Sequence, residues 1–416
     1  MRDFLHAMLD AAISAADPAR CLPPHLPPLP AGRLIVVGAG KAAGVMATVV
    51  ARHYGDRASG VVVTRYGCGL RPGETAGAIT VMEAAHPVPG AAAMTAADRI
   101  LAALDDLGEA DAVICLLSGG GSALMERPAP GIAFVEIRRI NRDLLASGAP
   151  IFDINVVRKH LSAIKGGGLV AAAWPARVWT FAISDVPGDD PGTIASGPTV
   201  ADPSSRADAL AILRRYRVAI SPGVAAAVAE TPKPGEPRLA RSTFQLVATP
   251  ASALAAAARV ARDQGWTVLE LGGEVQGEAA VVAADHAAIA VDLTRRGERA
   301  VILSGGELTV THDATGTGGP NREYALALAL ALRAAPQVWA IAADTDGMDG
   351  SADAAGAVVT PDTLARARTL HLDAEYALGA HDSGPFFHAL GDAVVTGATR
   401  TNVADFRAIV VAGGRP

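Results

Sequence analysis

Several residue types are scarce in this sequence, and each shortage excludes a class of protein. Aromatic residues make up 4% of the 416 residues although 50% of the chain is hydrophobic, so Ala, Val, Leu and Ile must form the core. Such a core is typical of helices layered on a buried sheet. The three cysteines, Cys21, Cys68 and Cys115, lie far apart without a CxxC pair. This usage argues against a disulfide scaffold and a zinc site, and it fits a reducing compartment.

An excess of positive charge and long apolar segments are missing as well. The formal net charge is -6 and no Lys/Arg run reverses it locally, so we expect no nucleic-acid partner. The apolar run Ala325–Leu332 ends at Arg333, well short of a membrane span. The first apolar stretch contains Arg2, Asp3 and Asp10, unlike a signal peptide. We therefore predict a cytoplasmic protein with no membrane partner.

Lysine is the scarcest cation. Of 36 basic residues only four are lysine, namely Lys41, Lys159, Lys165 and Lys233. Lysine is a compact point charge on a flexible stem, and arginine does not replace it freely where a phosphate must be met. The retained lysines are therefore candidates for phosphate contacts, although random drift would also leave a few.

The length of the chain predicts two domains. Over residues 1–235, short apolar strands alternate with helix-length segments, which predicts an α/β domain with a doubly wound, Rossmann-like parallel sheet. Residues 231–240 hold three prolines and form the best candidate linker. Over residues 241–416 the alternation restarts with a strand at Phe244–Ala248 and predicts a smaller C-terminal α/β domain. We expect the active site in the cleft between the two domains.

The first glycine-rich loop, VVGAGKAAG over residues 36–44, follows the first predicted strand. Glycines allow close backbone approach, and a helix N-terminus offers N–H groups to an anion. The spacing matches neither a dinucleotide fingerprint nor a P-loop. We expect Gly38 and Gly40 to bind the nucleotide and Lys41 to be catalytic; a tight turn without a ligand is the alternative.

The second glycine-rich loop follows the buried strand Ala112–Leu117. Its glycines and two hydroxyls suit a carboxylate or a phosphate, and ligands of open α/β sheets sit beyond the carboxyl ends of the strands. A flexible connector is the alternative. We expect five residues of this loop to bind the substrate: Ser118, Gly119, Gly120, Gly121 and Ser122.

Two aspartates, Asp185 and Asp189, follow the predicted strand Val178–Ser184. Carboxylates in such a loop can hold Mg²⁺ or accept a proton from a substrate hydroxyl. We expect both to bind the metal and Asp185 to be catalytic, while ordinary turn chemistry is an equal alternative for Asp189. Upstream, Arg158 and Lys159 could clamp a carboxylate of the substrate, or could simply end a helix.

The predicted C-terminal domain carries a third glycine-rich loop after the strand Ala300–Ser304, and we expect it to bind the nucleotide. Its residues are Ser304, Gly305, Gly306 and Glu307. Asn321 and Asp346 are expected to join this nucleotide site. Asp349, in the same acidic loop as Asp346, is interpreted as part of a solvated turn.

Taken together, these motifs resemble those of the glycerate 2-kinase family, whose C-terminal part is the MOFRL domain. The resemblance runs from end to end and follows one order: VVGAGKAA, LLSGGGSAL, ISDVPGDDPGTIASGPT, ILSGGE, GGPNREYALALAL, DTDGMDG, DSGPFF and TGATRTNVAD. It implies transfer of the γ-phosphoryl group of ATP to the 2-hydroxyl of D-glycerate, with Mg²⁺, giving 2-phosphoglycerate. The family's lysine in the first glycine loop matches Lys41.

The chain departs from the family pattern at two positions. Where the family usually reads Gly-Gly-Arg-Asn-Gln-Glu, Pro320 replaces the arginine and Arg322 stands two positions later. We expect Arg322 to take over as the catalytic arginine. In the motif TGATRTN, Arg400 replaces a glycine that is common in the family.

Two rival functions are compatible with the same loops. A hydroxypyruvate reductase could bind NADP at the first glycine loop, with Arg65 meeting the 2′-phosphate. The aspartates and Lys41 exceed what hydride transfer needs. A non-catalytic sugar-phosphate-binding protein would have no use for Asp185, Asp189 and Asp346. A homodimer is compatible with any of these functions.

Overall fold

The computed structural model describes residues 1–311, 316–333, 335–350 and 354–413. The chain divides into two units, which we name after their sheets. The parallel-sheet unit comprises Pro18–Val247, and the mixed-sheet unit comprises Met1–Asp17 together with Ala248–Pro416. Within the described residues, no helix is both long and apolar enough to cross a membrane.

The parallel-sheet unit is built on six strands flanked by helices. The strands are β1 (Leu34–Ala39), β2 (Ala58–Arg65), β3 (Ala78–Ala84), β4 (Ala112–Leu117), β5 (Arg177–Ile183) and β6 (Ser242–Ala248). The first helix of the chain, α1 (Arg2–Ala15), belongs to the mixed-sheet unit. The helices of the parallel-sheet unit are α2 (Pro18–Cys21), α3 (Ala43–Tyr54), α4 (Ala91–Ala103), α5 (Gly121–Leu124), α6 (Phe134–Ala146), α7 (Ile151–Leu161), α8 (Gly168–Ala173), α9 (Arg206–Arg215) and α10 (Pro222–Ala227).

The strand order of this sheet is β3-β2-β1-β4-β5-β6. Strand β1 pairs in parallel with both β2 and β4, and the pairs β2–β3 and β4–β5 are parallel too. Every residue of β1 and of β4 is buried, as expected for central strands covered on both faces. The predicted doubly wound α/β fold is confirmed.

The mixed-sheet unit contains the remaining elements. Its strands are β7 (Thr267–Glu270), β8 (Gly277–Glu278), β9 (Ala300–Gly306), β10 (Leu308–Thr309), β11 (Val338–Asp344), β12 (Gly356–Val359), β13 (Ala393–Val394) and β14 (Asp405–Val411). Its other helices are α11 (Pro250–Asp263), α12 (Ala279–Arg295), α13 (Pro320–Leu332), α14 (Thr363–Thr369), α15 (Ala374–Gly379) and α16 (Ser383–Leu390). The six-stranded sheet has the order β13-β12-β11-β14-β9-β7, and β8 pairs with β10 separately.

Most neighbours in the second sheet are antiparallel, and only β7 and β9 run parallel. Strand–helix alternation predicted the α/β class of this part, but it did not predict the strand directions. Leu326, Leu328 and Tyr324 of α13 belong to the core of this unit. The aliphatic repeat of α13 is therefore packed against the second sheet, and not exposed as a surface face.

Both ends of the parallel-sheet unit differ from the predicted domains 1–235 and 241–416. Helix α1 buries Phe4, Leu5 and Met8, and the ring of Phe4 stacks on Trp266 of the mixed-sheet unit at 5.5 Å. Strand β6, predicted as the first strand of the second domain, lies beside β5 in the first sheet, where Val178 donates to the carbonyl of Arg241. Ring packing at one end and strand pairing at the other, and not the prolines, set these ends.

Candidate active site

Three loops that carry predicted site residues lie at the carboxyl edge of the parallel sheet. They follow β1, β4 and β5, which are adjacent strands. Strand order reverses between β1 and β4, because β1 leads on to β2 on one side while β4 lies on the other. Ligands of open α/β sheets bind at such a reversal, so the geometry favours a binding site at these loops.

The backbone of the first glycine loop is occupied by contacts within the protein. The amide of Gly40 donates to Val63 O at 3.1 Å, and the amide of Lys41 donates to Gly119 O at 2.9 Å. The amide of Ala42 donates to the hydroxyl of Ser118 at 2.9 Å. The loop therefore does not present these amides to a phosphate group; it presents the residue Lys41 beside the second glycine loop.

Packing explains both glycines that were predicted to bind the nucleotide. A Cβ atom on Gly38 would lie 2.1 Å from the carbonyl oxygen of Leu116, because β1 and β4 are adjacent there. Gly40 has φ +143°, and a Cβ atom on it would lie 2.1 Å from the Ser118 hydroxyl. The structure thus favours the tight-turn alternative for Gly38 and Gly40. A nucleotide contact at either position remains only a prediction.

The second glycine loop divides into a buried part and a part that faces a cavity. Ser118 is buried and holds the first loop, and Gly121 packs against Ala195, from whose Cβ an added Cβ would be 2.8 Å away. Gly120, with φ +84°, lies against the ring of His86. The Ser122 hydroxyl contacts the Ser196 hydroxyl at 2.7 Å. Gly120 and Ser122 are the members of this loop that line the cavity.

The cavity has a volume of about 850 Å³, which is in the range of small-molecule sites. Its polar and charged lining residues are His86, Ser122, Glu126, Arg138, Arg139, Asn141, Arg142 and Arg158. Its apolar lining residues include Pro87, Val88, Phe134, Val135 and Leu145. Of the charged wall residues, Arg139 is paired with Glu136 and Asp143, and Glu126 is paired with Lys165. Arg138 and Arg158 still make the wall cationic, which suits an anionic ligand.

Arg158, like Gly120 and Ser122, is a predicted substrate residue that lies in this wall. Its Nε donates to Asn141 Oδ1 at 3.2 Å, and its Nη1 lies 3.5 Å from Asn155 Oδ1. Burial lowers the pKa of Arg158, and the charge of Glu126 opposes that shift. Neutral amide partners orient the guanidinium without neutralising its charge, so it can still bind an anion.

Lys159, predicted beside Arg158, turns away from the cavity. Its Nζ lies 3.5 Å from Asp202 Oδ1, and the residue is buried. Burial acts to raise the pKa of Asp202, but Lys159 and hydrogen bonds from Ser204 and Thr231 outweigh burial and lower it. Successive residues on helix α7 point in different directions, which explains why one of the two reaches the cavity. The geometry favours a structural role for Lys159.

The loop after β5 carries the two predicted metal ligands. Asp189 has φ +53°, and its Oδ1 is buried without a hydrogen-bond partner among the described residues. Asp185 lies four residues earlier, just after the end of β5. No group of three or more His, Cys, Asp or Glu side chains within the described ranges is arranged to hold a metal ion. Mg²⁺ usually takes one or two carboxylates from the protein and the rest of its ligands from water and phosphate. A metal contact at Asp185 or Asp189 therefore stays a prediction.

In the mixed-sheet unit, Arg322 is held in a buried ion pair. Its Nε donates to Asp349 Oδ2 at 3.0 Å, and its Nη2 donates to the Asp349 carbonyl at 2.8 Å. The same carboxylate accepts the amides of Asn321 and Arg322 at 2.9 and 3.0 Å, at the start of α13. Burial raises the pKa of Asp349, although these partners oppose the shift. The interpretation of Asp349 as a solvated turn is wrong, and its role is to hold the helix start and Arg322.

A second buried pair adjoins this one. Asn321 Nδ2 donates to Asp405 Oδ1 at 2.6 Å, and Arg407 Nη1 donates to Asp405 Oδ2 at 3.0 Å. Arg407 Nε also reaches the Ser304 hydroxyl at 3.3 Å. Burial raises the pKa of Asp405, and Arg407 opposes it. Ser304 and Asn321, predicted as nucleotide contacts, therefore belong to one buried polar network.

The other predicted nucleotide residues of this unit have mixed surroundings. Gly305 donates its amide to Gly272 O at 2.8 Å, and a Cβ atom on Gly306 would lie 2.2 Å from Val275 O. Asp346 is buried, and its Oδ1 accepts the amide of Met348 at 2.7 Å. Glu307 is exposed. Packing accounts for the two glycines, whereas a nucleotide contact at Glu307 or Asp346 stays a prediction.

Comparisons with known proteins agree with this architecture. Residues 4–229 match a family model described as a domain of unknown function (DUF4147), and residues 300–405 match the MOFRL family. A D-glycerate 2-kinase of Thermotoga maritima is 36% identical over 95% of this chain and 94% of its own length. The crystal structure of glycerate kinase from Thermotoga maritima matches with a TM-score of 0.90 and 35% identity over 99% of both chains. The chain belongs to the glycerate 2-kinase family.

Names within the family are not uniform. A protein of Agrobacterium vitis described as a proposed hydroxypyruvate reductase is 49% identical over 99% of this chain and 94% of that protein. Both names that the sequence motifs suggested are therefore present among relatives. The choice between kinase and reductase for this member of the glycerate 2-kinase family therefore depends on the geometry of its site.

Sequence reasoning missed several cavity residues of this glycerate 2-kinase family member. His86, Glu126 and Asn141 lie in the wall, yet none belongs to a glycine-rich loop. The one sequence signal for Glu126 is its position shortly after the second glycine loop. Asn141 has no such signal, because it lies on α6, whose sequence pattern is typical of an ordinary amphipathic helix.

Proposed function

We propose that this chain transfers the γ-phosphoryl group of ATP to the 2-hydroxyl of D-glycerate and releases 2-phosphoglycerate. The observation that carries the proposal is the cationic cavity beside Gly120 and Ser122, at the reversal of strand order. A cationic wall can bind the carboxylate of a hydroxy acid, and the ammonium group of Lys41 can offset the negative charge of a phosphate donor. The names of the Thermotoga maritima relatives support the same reaction.

In this proposal Arg158 binds the carboxylate of D-glycerate. Its planar guanidinium matches a carboxylate, and Asn141 and Asn155 hold it in place. The Ser122 hydroxyl and the backbone at Gly120 complete the wall around the small substrate. Orientation is most of what the protein must supply, because phosphoryl transfer depends chiefly on positioning and on neutralising charge.

Lys41 supplies that neutralisation. The hydrogen bond from the Lys41 amide to Gly119 O holds this residue beside the second glycine loop. An ammonium group there would stabilise the negative charge that the transferring phosphoryl oxygens share. Arg322 is committed to Asp349 in this structure, so we give Lys41 the role that an arginine takes in other phosphotransferases.

Asp185 and Asp189 are the proposed Mg²⁺ ligands. The buried, unpartnered Oδ1 of Asp189 is the observation that favours an oxygen-binding cation there. Mg²⁺ bound to phosphate oxygens would screen their charge. Asp185 is further proposed to accept the proton of the 2-hydroxyl as that oxygen attacks. Glu307 and Asp346 stay proposed contacts of the nucleotide.

A hydroxypyruvate reductase is the second candidate, because the relative at 49% identity carries that description. A reductase of the Rossmann type would bind a pyrophosphate on the amides of the first glycine loop. The amides of Gly40, Lys41 and Ala42 donate to Val63, Gly119 and Ser118 instead. This occupation disfavours the reductase.

The proposal is tested with a coupled assay of ADP release from ATP, Mg²⁺ and D-glycerate. For Arg158→Met we expect the KM for D-glycerate to rise about ten- to hundredfold, because a charge-assisted contact to the carboxylate is lost. The KM for ATP should change little. Arg214→Met, at an exposed arginine of the same unit, is the matched control. An unchanged KM for D-glycerate in Arg158→Met would contradict the assigned cavity.

We further propose a cytoplasmic enzyme that acts on small molecules. Cys68 and Cys115 are buried free thiols, as is usual in a reducing compartment. A homodimer remains a proposal, and size-exclusion chromatography with light scattering would decide between one copy and two.

A further inference from the structure

One charged group of the cavity wall has no role in the reaction as proposed so far. Glu126 is 2% exposed, and its Oε2 pairs with the ammonium group of Lys165. Its other carboxylate oxygen, Oε1, is buried and has no hydrogen-bond partner among the described residues. An unsatisfied buried acceptor is costly, so such an atom in a cavity wall indicates a place for a donor from a ligand.

Lys165 determines which carboxylate oxygen of Glu126 is left without a donor from the protein. The lysine is 1% exposed, and burial lowers its pKa while the pairing with Glu126 opposes the shift. Its backbone is anchored, because the amides of Gly166 and Gly167 donate to Ser196 O at 3.0 Å and Gly197 O at 2.8 Å. Oε2 is therefore committed to Lys165. A carboxylate oxygen can only accept, so the group that meets Oε1 must be a donor such as a hydroxyl.

The same wall holds Arg158, which suits a carboxylate. A wall with one carboxylate-binding group and one hydroxyl-accepting group matches a hydroxy acid that carries a second hydroxyl. In D-glycerate the 2-oxygen attacks the phosphoryl group and gives up its proton. The 3-hydroxyl takes no part in the bond changes, so it is the donor left for Oε1.

We propose that Glu126 Oε1 accepts a hydrogen bond from the 3-hydroxyl of bound D-glycerate and thereby sets which hydroxyl is phosphorylated and which hydroxy acids react. This inference rests on the proposed kinase function. Glu126 acts as a specificity-determining residue: it orients the substrate, takes no proton and forms no covalent bond.

The unmodified protein gives the first test, because D-lactate is D-glycerate without the 3-hydroxyl. We expect kcat/KM for D-lactate to be lower by about tenfold or more in the ADP-release assay, since a site built to bind a hydroxyl is left with an unpaired acceptor. Equal kcat/KM values would overturn the role of Glu126 and leave the kinase intact. No ADP from D-glycerate itself would overturn the proposed function and this inference with it.

Variants provide the second test. Glu126→Gln should reduce the preference for D-glycerate over D-lactate about tenfold and allow some 3-phosphoglycerate to form, as read by phosphorus NMR. Glu109→Gln, at a glutamate whose side chain is 84% exposed, is the matched control. A double variant, Glu126→Met with Lys165→Met, removes both buried charges and guards against a failure to fold. If these variants slow both substrates by the same factor, Glu126 is only structural and the inference is wrong.

Discussion

Replacing Asp349 by alanine is the perturbation whose energetic cost the structure defines best. Asp349 is 1% exposed and Arg322 is 3% exposed, so the substitution leaves a buried guanidinium without its partner. It also removes the acceptor of the Asn321 and Arg322 amides at the start of α13. Breaking a buried pair from one side typically costs about 3–5 kcal/mol, and we expect a loss of that size in the free energy of unfolding.

The assay is urea unfolding followed by circular dichroism, with hydrogen exchange of peptides from Pro320–Leu332 to locate the effect. Asp292→Ala is the matched control, because Asp292 forms an exposed ion pair with Arg296 in the same unit, with side chains 59% and 56% exposed. We expect that control to change stability by less than about 1 kcal/mol. If Asp349→Ala stays within about 1 kcal/mol of the unmodified protein, the buried network does not hold α13 as described.

Three further predictions concern a histidine, a lysine and a glycine. Burial lowers the pKa of His286 to about 4. Between about pH 6.5 and pH 4 the unfolded chain therefore binds a proton at this residue, whereas the folded chain does not. The free energy of unfolding should therefore fall by up to about 2 kcal/mol between pH 7 and pH 5, as measured by urea titration. His286→Gln should remove this pH-dependent loss of stability, whereas the exposed control His388→Gln should not. Lys41→Ala should lower kcat by about a thousandfold in the ADP assay while Lys233→Ala has little effect; normal turnover would remove Lys41 from the mechanism. Gly40→Ala should destabilise the chain by about 1–3 kcal/mol and reduce activity, because the added Cβ atom would strike Ser118. Gly379→Ala is the control: its added Cβ atom meets nothing within 4 Å and should leave the melting temperature unchanged.

The parallel sheet was predictable because its signals are local. The apolar run at β1 ends in glycine and the run at β4 ends in Ser118 followed by three glycines, and a buried strand followed by a helix start produces that pattern. The loops after β1, β4 and β5 could be placed at one sheet edge for the same reason. Directions in the second sheet had no local signal, because strand β11 can pair with β12 and β14 in either direction on the same apolar pattern.

The site was only partly predictable, because burial and pairing are decided by residues far apart in sequence. Glu126 meets Lys165 across 39 positions, and Arg322 meets Asp349 across 27. An acidic, glycine-rich segment such as residues 344–350 looks like a solvated turn until the partner that buries it is known. Lys159 and Arg158 look equivalent in sequence, and only the packing of α7 separates them.

The most direct test of the account is to incubate the purified chain with ATP, Mg²⁺ and D-glycerate and to identify the product by phosphorus NMR. The account predicts stoichiometric ADP and a phosphoryl group on the 2-oxygen of glycerate. In a parallel sample, NADPH and hydroxypyruvate should remain unchanged. NADPH oxidation without any ADP formation would contradict the account and assign this chain to the reductases.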